Sequence, residues 1–332
     1  MSDRQDRIRG VLIGQAAGDA LGVHYELGTP SKGKAEMLGG GYGFEPYEWS
    51  DDTQQAIVIA QAAGDGYGTV AGYVARAGVG LLRWYRSGPA DVGPTAGAVL
   101  GRVRDTDNML TVYPERVRKH LELAARQNYE GRGRAMGRMS NGSLMRTNPA
   151  ILPFLGRRAH GARVVREISD LTHADPMAGD AVVLWSLAVE YAIELGEKFD
   201  VGKHMVDGIH YLPEERKAAW HTLIAEAIGS SPYKFRGNLA VVPAFQAALS
   251  TVSHTLAVEG GYEHGVQLAV DIGGDTDTIA AIAGGLLGAV YGASAVPGEW
   301  RSKLHGWPGL TGFELEHLAL DAAGELYPKV AQ

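Results

Sequence analysis

The chain has 332 residues, 45% of them hydrophobic, and a net charge of −7 from 38 acidic and 31 basic side chains. This length buries a sizeable core and the composition is that of a globular rather than a disordered protein. There is no cysteine, which excludes disulfides, thiolate zinc sites, iron–sulfur clusters and cysteine nucleophiles and fits a reducing, cytoplasmic compartment; the acidic balance lacks the footprint of a general nucleic-acid binder, with Arg132, Arg134 and Arg138 as the best local basic patch.

The first nine residues are polar and charged, without the apolar core of a signal peptide. Residues 7–17, 53–63, 75–85, 115–127, 178–195, 213–228, 243–251, 262–270 and 278–291 read as helices by length and helix formers. Between them, the glycine-rich stretches 28–43 and 131–142 are structured loops, and 196–237 is charged and least informative. No strand pair with a hairpin turn and no strand–helix alternation is visible, which argues against a Rossmann-like sheet. The expectation is a single all-α domain over residues 1–332, with function on loops and helix starts. Residues 278–298 carry no charge and include Gly284 and Gly288. Alanine and glycine dominate there and acids crowd the start, so a close-packed buried helix fits better than a membrane span.

Two acidic clusters stand out. Ser50, Asp51, Asp52 and Thr53 precede an apolar run; Ser50 suits an N-cap and both acids suit a first helical turn, so a capped helix alone accounts for them. Asp271, Gly273, Gly274, Asp275, Asp277 and Thr278 are harder to explain structurally. Three acids and two glycines lie where the chain can turn sharply, with nothing basic nearby, and such charges repel unless a cation is bound. Ser50, Asp51, Asp52, Asp275, Asp277 and Thr278 together offer only oxygen ligands, which select magnesium, manganese or calcium over zinc or copper. A bridging carboxylate would hold two metals ~3.5–4 Å apart. The EF-hand pattern is absent, which excludes that type of calcium loop.

These motifs resemble those of the ADP-ribosylglycohydrolase family. Four blocks carry the likeness: Gly18-Asp19-Ala20-Leu21-Gly22 with Glu26; Ser50-Asp51-Asp52-Thr53-Gln54; Asn141-Gly142-Ser143-Leu144-Met145-Arg146; and Gly273-Gly274-Asp275-Thr276-Asp277-Thr278. Thr172-His173 and residues 285–292 are smaller matches, and the likeness spans roughly 7–305. Ser50 stands where many members have threonine, and its hydroxyl can serve equally as a ligand. The resemblance implies an all-helical fold, a binuclear magnesium or manganese site on the six oxygen ligands, and release of ADP-ribose from a modified target. It implies that Glu26 lies beside the metals, that the 131–143 loop, including Gly137, Arg138, Met139, Ser140, Asn141, Gly142 and Ser143, surrounds a diphosphate, and that His173 lies near the nucleotide.

Chemically, glycosidic cleavage develops positive charge at the anomeric carbon, which carboxylates stabilise. Glu26 is a candidate to move the proton, as are Asp52 and Asp277. Plainer explanations stand beside these: Glu26 as a surface acid after a turn, the 131–143 stretch as an ordinary loop without a P-loop ending, His173 as a packing residue, and Arg146 as the partner of a carboxylate. Asp91, in the Pro/Gly turn after residue 88, matches an acid that lies near the guanidinium in arginine-directed members, although turn chemistry also explains it. The expected partner is therefore an ADP-ribosylated protein, arginine-linked by preference. Serine-linked, nucleic-acid-linked or O-acetyl conjugates, or a non-catalytic ADP-ribose binder, are the alternatives; no membrane partner is expected.

Overall fold

The structure is a computed structural model and describes residues 2–28, 31, 33–64, 70–103, 113–133 and 140–326. Its helices, in chain order, are α1 (Asp3–Gly22), α2 (Asp51–Gly64), α3 (Val70–Arg86), α4 (Pro94–Leu100), α5 (Pro114–Asn128), α6 (Arg158–Asp170), α7 (Pro176–Leu195), α8 (Val201–Gly208), α9 (Glu214–Ile228), α10 (Val241–Ala257), α11 (Gly261–Ile272), α12 (Thr276–Tyr291), α13 (Gly298–Lys303) and α14 (Gly312–Ala322). The all-α expectation holds. Local chemistry sets several starts: Ser2 and Gln5 form a capping box at α1, and proline opens α4, α5 and α7.

The nine expected segments all fall on helices, with Pro213 serving as the N-cap of α9. Helices α4, α6, α8, α13 and α14 lie outside the nine expected segments. Most of these are short. α14 did carry a start signature, because Thr311 and Glu314 form a reciprocal capping box. A two-residue antiparallel ladder, His305–Gly306 against Leu310–Thr311, was also unforeseen; two residues are too few to show alternation.

Two helices form the centre. Every residue of α1 from 10 to 22 and of α12 from 276 to 290 is buried, so both are enclosed on every side rather than half-exposed amphipathic helices. They run antiparallel in backbone contact. A methyl group at Gly10 would sit 2.0 Å from the Gly288 carbonyl oxygen, at Gly14 2.5 Å from that of Gly284, and at Gly18 2.1 Å from that of Ala280. Only glycine permits this approach. The uncharged 278–298 stretch is thus a close-packed core helix as far as Tyr291. Helix α7 has the length and hydropathy of a membrane span, but residues 178–190 are all buried within the protein.

Trp49, Trp84, Trp185 and Trp220 are fully buried. Each indole N–H donates to a partner: the Trp307 carbonyl, Gln54, Asn148 and Asp180, at 2.8–3.0 Å. Buried polar atoms are costly unless bonded, so these bonds fix how the helices around them dock.

Candidate active and metal site

The antiparallel pairing carries the C-terminal end of α1 to the N-terminal end of α12. Gly22 packs on the backbone of Asp277, and the Thr276 hydroxyl donates to the Gly22 carbonyl at 2.8 Å. Asp19, one turn earlier, is completely buried and accepts the backbone N–H groups of Ser50 and Thr53, both at 3.0 Å. One helix therefore sets both acidic clusters. Ser50 acts as the expected cap, its hydroxyl accepting the Asp52 N–H at 3.4 Å.

The second cluster turns through Gly273 and Gly274, at φ 78° and 84°, a left-handed conformation suited to glycine. Asn238 holds this turn. Its side chain donates to the Gly273 carbonyl at 3.1 Å and accepts the Asp275 N–H at 2.9 Å. Leu27 N–H donates to the Gly274 carbonyl at 2.7 Å, which brings the preceding residue to the cluster. One carboxylate oxygen each from Glu26, Asp275 and Asp277 lie within 4.8 Å of one another.

Ser50, Asp51, Asp52, Asp275, Asp277 and Thr278 are all buried, while Glu26 and Asp91 are half-buried. Among the described residues, no lysine or arginine lies at ion-pair distance from Asp19, Glu26, Asp51, Asp52, Asp91, Asp275 or Asp277. Burial first, and neighbouring carboxylates second, push Asp51 and Asp52 well above the usual carboxylate range. Asp277 is raised in the same way. Burial raises Glu26 to about 7, helped by Asp275 and Asp91, and Asp19 to about 6. Asp52 Oδ1 is buried without a hydrogen-bond partner. An orphaned carboxylate oxygen amid unpaired acids and hydroxyls suits a hard divalent cation. The helix N-termini of α2 and α12 meet the same acids with positive dipole ends.

The 140–143 segment flanks this cluster. Asn141 donates to Asp275 Oδ2 at 2.6 Å and to the Asn238 carbonyl at 3.2 Å. Ser143 accepts the Ser169 hydroxyl at 2.9 Å, and Gly142 lies against the His173 ring. Gly137, Arg138 and Met139, with Arg134 of the basic patch, lie outside the described residues. His173 is fully buried under Ser140 and Gly142, with both ring nitrogens engaged by Thr172 and Ser140. Asp91 faces the acids, and its charge helps raise both Glu26 and Asp51. Among the described residues, Arg146 has no carboxylate at ion-pair distance, contrary to expectation. Its guanidinium donates to Gln55 and Thr172 side chains and to the Ile168 carbonyl.

With this geometry in view, the sequence profile described as ADP-ribosylglycohydrolase matches residues 1–330. The chain belongs to the ADP-ribosylglycohydrolase family. It is 28% identical to the ADP-ribosyl-[dinitrogen reductase] glycohydrolase of Rhodospirillum rubrum, over 90% of each chain. It is also 28% identical to the ADP-ribosylarginine hydrolase Tri1 of Pseudomonas putida (strain GB-1), over 90% of this chain and 74% of the relative. A solved structure, titled ADP-ribosylglycohydrolase-related protein complex, superposes with a TM-score of 0.72 at 27% identity, covering 98% of this chain and all of the other. The chain is thus an enzyme of a hydrolase family, which sets aside the non-catalytic alternative.

Several residues of this glycohydrolase site escaped sequence reading. Asp19 sat inside a motif without an assigned role, yet it anchors α2. Gln55 bonds Asp51 at 2.9 Å, and Asn238 directly follows the stretch read as least informative. Tyr42 is 60% exposed at φ 63°. The charges of Asp91 and Glu26 raise its phenol, so it stands at the mouth of the cluster. Asp19 and Asn238 act across 31 to 37 positions, which local sequence does not mark, whereas Gln55 reaches Asp51 within one helical turn.

Proposed function

We propose that this glycohydrolase cleaves the glycosidic bond joining ADP-ribose to a modified target, with arginine-linked protein preferred, and that Ser50, Asp51, Asp52, Asp275, Asp277 and Thr278 hold two magnesium or manganese ions. The observation that carries the reading is the convergence of seven carboxyl groups that have no basic partner among the described residues. Such ions, when bound, orient ribose hydroxyls and water and act as Lewis acids.

The chain's own groups supply the rest. Buried carboxylates stabilise the cationic transition state at the anomeric carbon. Glu26 reaches the ligand set from outside both clusters and is only half-buried, which suits the group that moves the proton between water and the leaving nitrogen. Asp52 and Asp277 are the alternatives for that step. The 140–143 segment offers backbone and side-chain donors beside Asp275 for the diphosphate. Asp91, whose charge is felt by Glu26 and Asp51, accepts planar, charge-assisted hydrogen bonds from a substrate guanidinium. Relatives named for ADP-ribosylarginine support an arginine linkage, and one named for dinitrogen reductase supports a protein target. Relatives named ARH3 are 22–27% identical, from the human protein to that of Danio rerio.

One assay tests this reading: ADP-ribose release from arginine-, serine- and DNA-linked substrates, with and without a chelator, for wild type and Asp91→Ala. The expected outcome is chelator-sensitive release, highest kcat/KM on the arginine linkage, and a selective loss there in the variant. Faster serine-linked release by wild type, or an equal loss on both linkages, defeats the arginine assignment alone. Full release in chelator defeats the metal assignment.

A further inference from the structure

A buried polar chain runs through the protein behind the acids. Gln55, Arg146, Thr172 and His173 are all completely buried. On one side, Arg146 Nη1 donates to Gln55 Oε1 at 2.9 Å, and Gln55 Nε2 donates to Asp51 Oδ2 at 2.9 Å. On the other, Arg146 Nη2 donates to Thr172 Oγ1 at 2.7 Å, Thr172 Oγ1 lies 2.8 Å from His173 Nδ1, and His173 Nε2 lies 3.0 Å from Ser140 Oγ. Ser140 in turn donates to Thr95 Oγ1 at 3.0 Å.

The direction of every bond follows from one constraint: arginine has donors and no acceptor. Its donation fixes the amide of Gln55 with oxygen inward, which turns the NH₂ group onto Asp51. Its donation to Thr172 leaves that hydroxyl's proton for His173 Nδ1, since a buried O–H without an acceptor is costly. Nδ1 is then the acceptor, so the ring proton sits on Nε2 and is donated to Ser140. Burial holds His173 down to about 3, consistent with a single ring proton. The Ser140 proton continues to Thr95. Both branches therefore take their polarity from Arg146.

We propose that Arg146 is a positioning residue with two arms: through Gln55 it orients the Asp51 carboxylate, and through Thr172 it locks His173 as the Nε2–H tautomer that holds Ser140 and the 140–143 segment. The functional meaning of the arms rests on the reading above, Asp51 being a cation ligand and the 140–143 segment a substrate contact. The tautomer does not depend on that reading.

The test separates the arms with near-isosteric variants. Imidazole ¹⁵N–¹H NMR assigns His173 by comparison with His173→Gln, and calorimetry gives Mn²⁺ and ADP-ribose affinities. Wild type should show His173 as a neutral Nε2–H ring down to about pH 4, by the burial just described. Thr172→Val should shift the His173 nitrogen signals and weaken ADP-ribose binding ~5-fold, about the loss of one hydrogen bond, with Mn²⁺ affinity unchanged. Gln55→Met should leave the His173 signals in place and weaken Mn²⁺ binding ~10–100-fold, as loss of a partner behind a metal ligand does. Arg146→Lys should show both effects. An Nδ1–H ring in wild type overturns the proposal even if no variant folds. So does a Thr172→Val spectrum identical to wild type, or a Gln55→Met protein that binds Mn²⁺ normally. A wild type with the expected tautomer but no affinity for Mn²⁺ or ADP-ribose removes the functional reading and, with it, the role of the arms.

Discussion

Asp19 accepts the Ser50 backbone N–H at 3.0 Å and so joins the central helix α1 to the first residue of the first acidic cluster. The same carboxylate accepts Thr53 N–H, which fixes both the position and the tilt of α2. Asp19→Asn keeps the shape but offers only one acceptor oxygen and sets an amide donor against a backbone donor. The variant should lose about 1–3 kcal/mol of stability and bind Mn²⁺ ~10–100-fold more weakly. Chemical denaturation and calorimetry measure the two effects; Mn²⁺ affinity equal to wild type would show that α2 is held in place by other contacts.

Glu26 lies close to Asp275 and Asp277 but belongs to neither cluster. Glu26→Gln should lower kcat by a factor on the order of 10²–10⁴, the range for general acid–base groups, with Mn²⁺ affinity near that of wild type. If calorimetry instead shows lost Mn²⁺ binding, Glu26 is a ligand and the proton is moved by another group.

The contact between Gly10 and Gly288 is backbone on backbone, so neither side can yield by a rotamer change. Gly288→Ala puts a methyl carbon 1.9 Å from the Gly10 carbonyl oxygen. The expected cost is about 3 kcal/mol, at the upper end for overpacking, with a matching fall in thermal midpoint. Gly298→Ala, where a methyl group meets nothing within 4 Å, is the control and should stay near wild type. Equal midpoints for the two variants would contradict the close approach of α1 and α12.

Asp170 ends α6 and lines a cavity of about 520 Å³ with Arg118, Glu122 and Arg126. Burial raises its carboxyl from 3.8 to about 6. A raised folded-state value means that Asp170 stabilises fully below pH 3.8 and that this contribution is lost as pH rises through about 6. Asp170→Asn keeps a neutral group at every pH. It should therefore match wild type at about pH 4 and exceed it at about pH 8 by roughly 1–3 kcal/mol, the worth of a two-unit shift lessened by partial exposure. Urea denaturation at the two values tests the sign, and a variant less stable at about pH 8 would refute it.

Sequence alone determined the local layer of this protein. Helix formers and punctuation gave nine helices, and the oxygen-only chemistry of Ser50, Asp51, Asp52, Asp275, Asp277 and Thr278 is what the proposal of a hard-cation site starts from, because propensity and ligand type are properties of short segments. The motif blocks also carried the family. Tertiary structure alone decided how residues 19, 26, 51, 91 and 275 come to face one another, that Asn238 supports Asp275, and that Thr172 joins Arg146 to His173. Their contacts span up to 254 positions, as from Gly22 to Thr276. They exist because glycines let two buried helices touch backbone to backbone, a packing outcome that no residue's own propensity encodes. The partner of Arg146 was misjudged for the same reason: its charge predicted a carboxylate, whereas packing gave it an amide, a hydroxyl and a carbonyl.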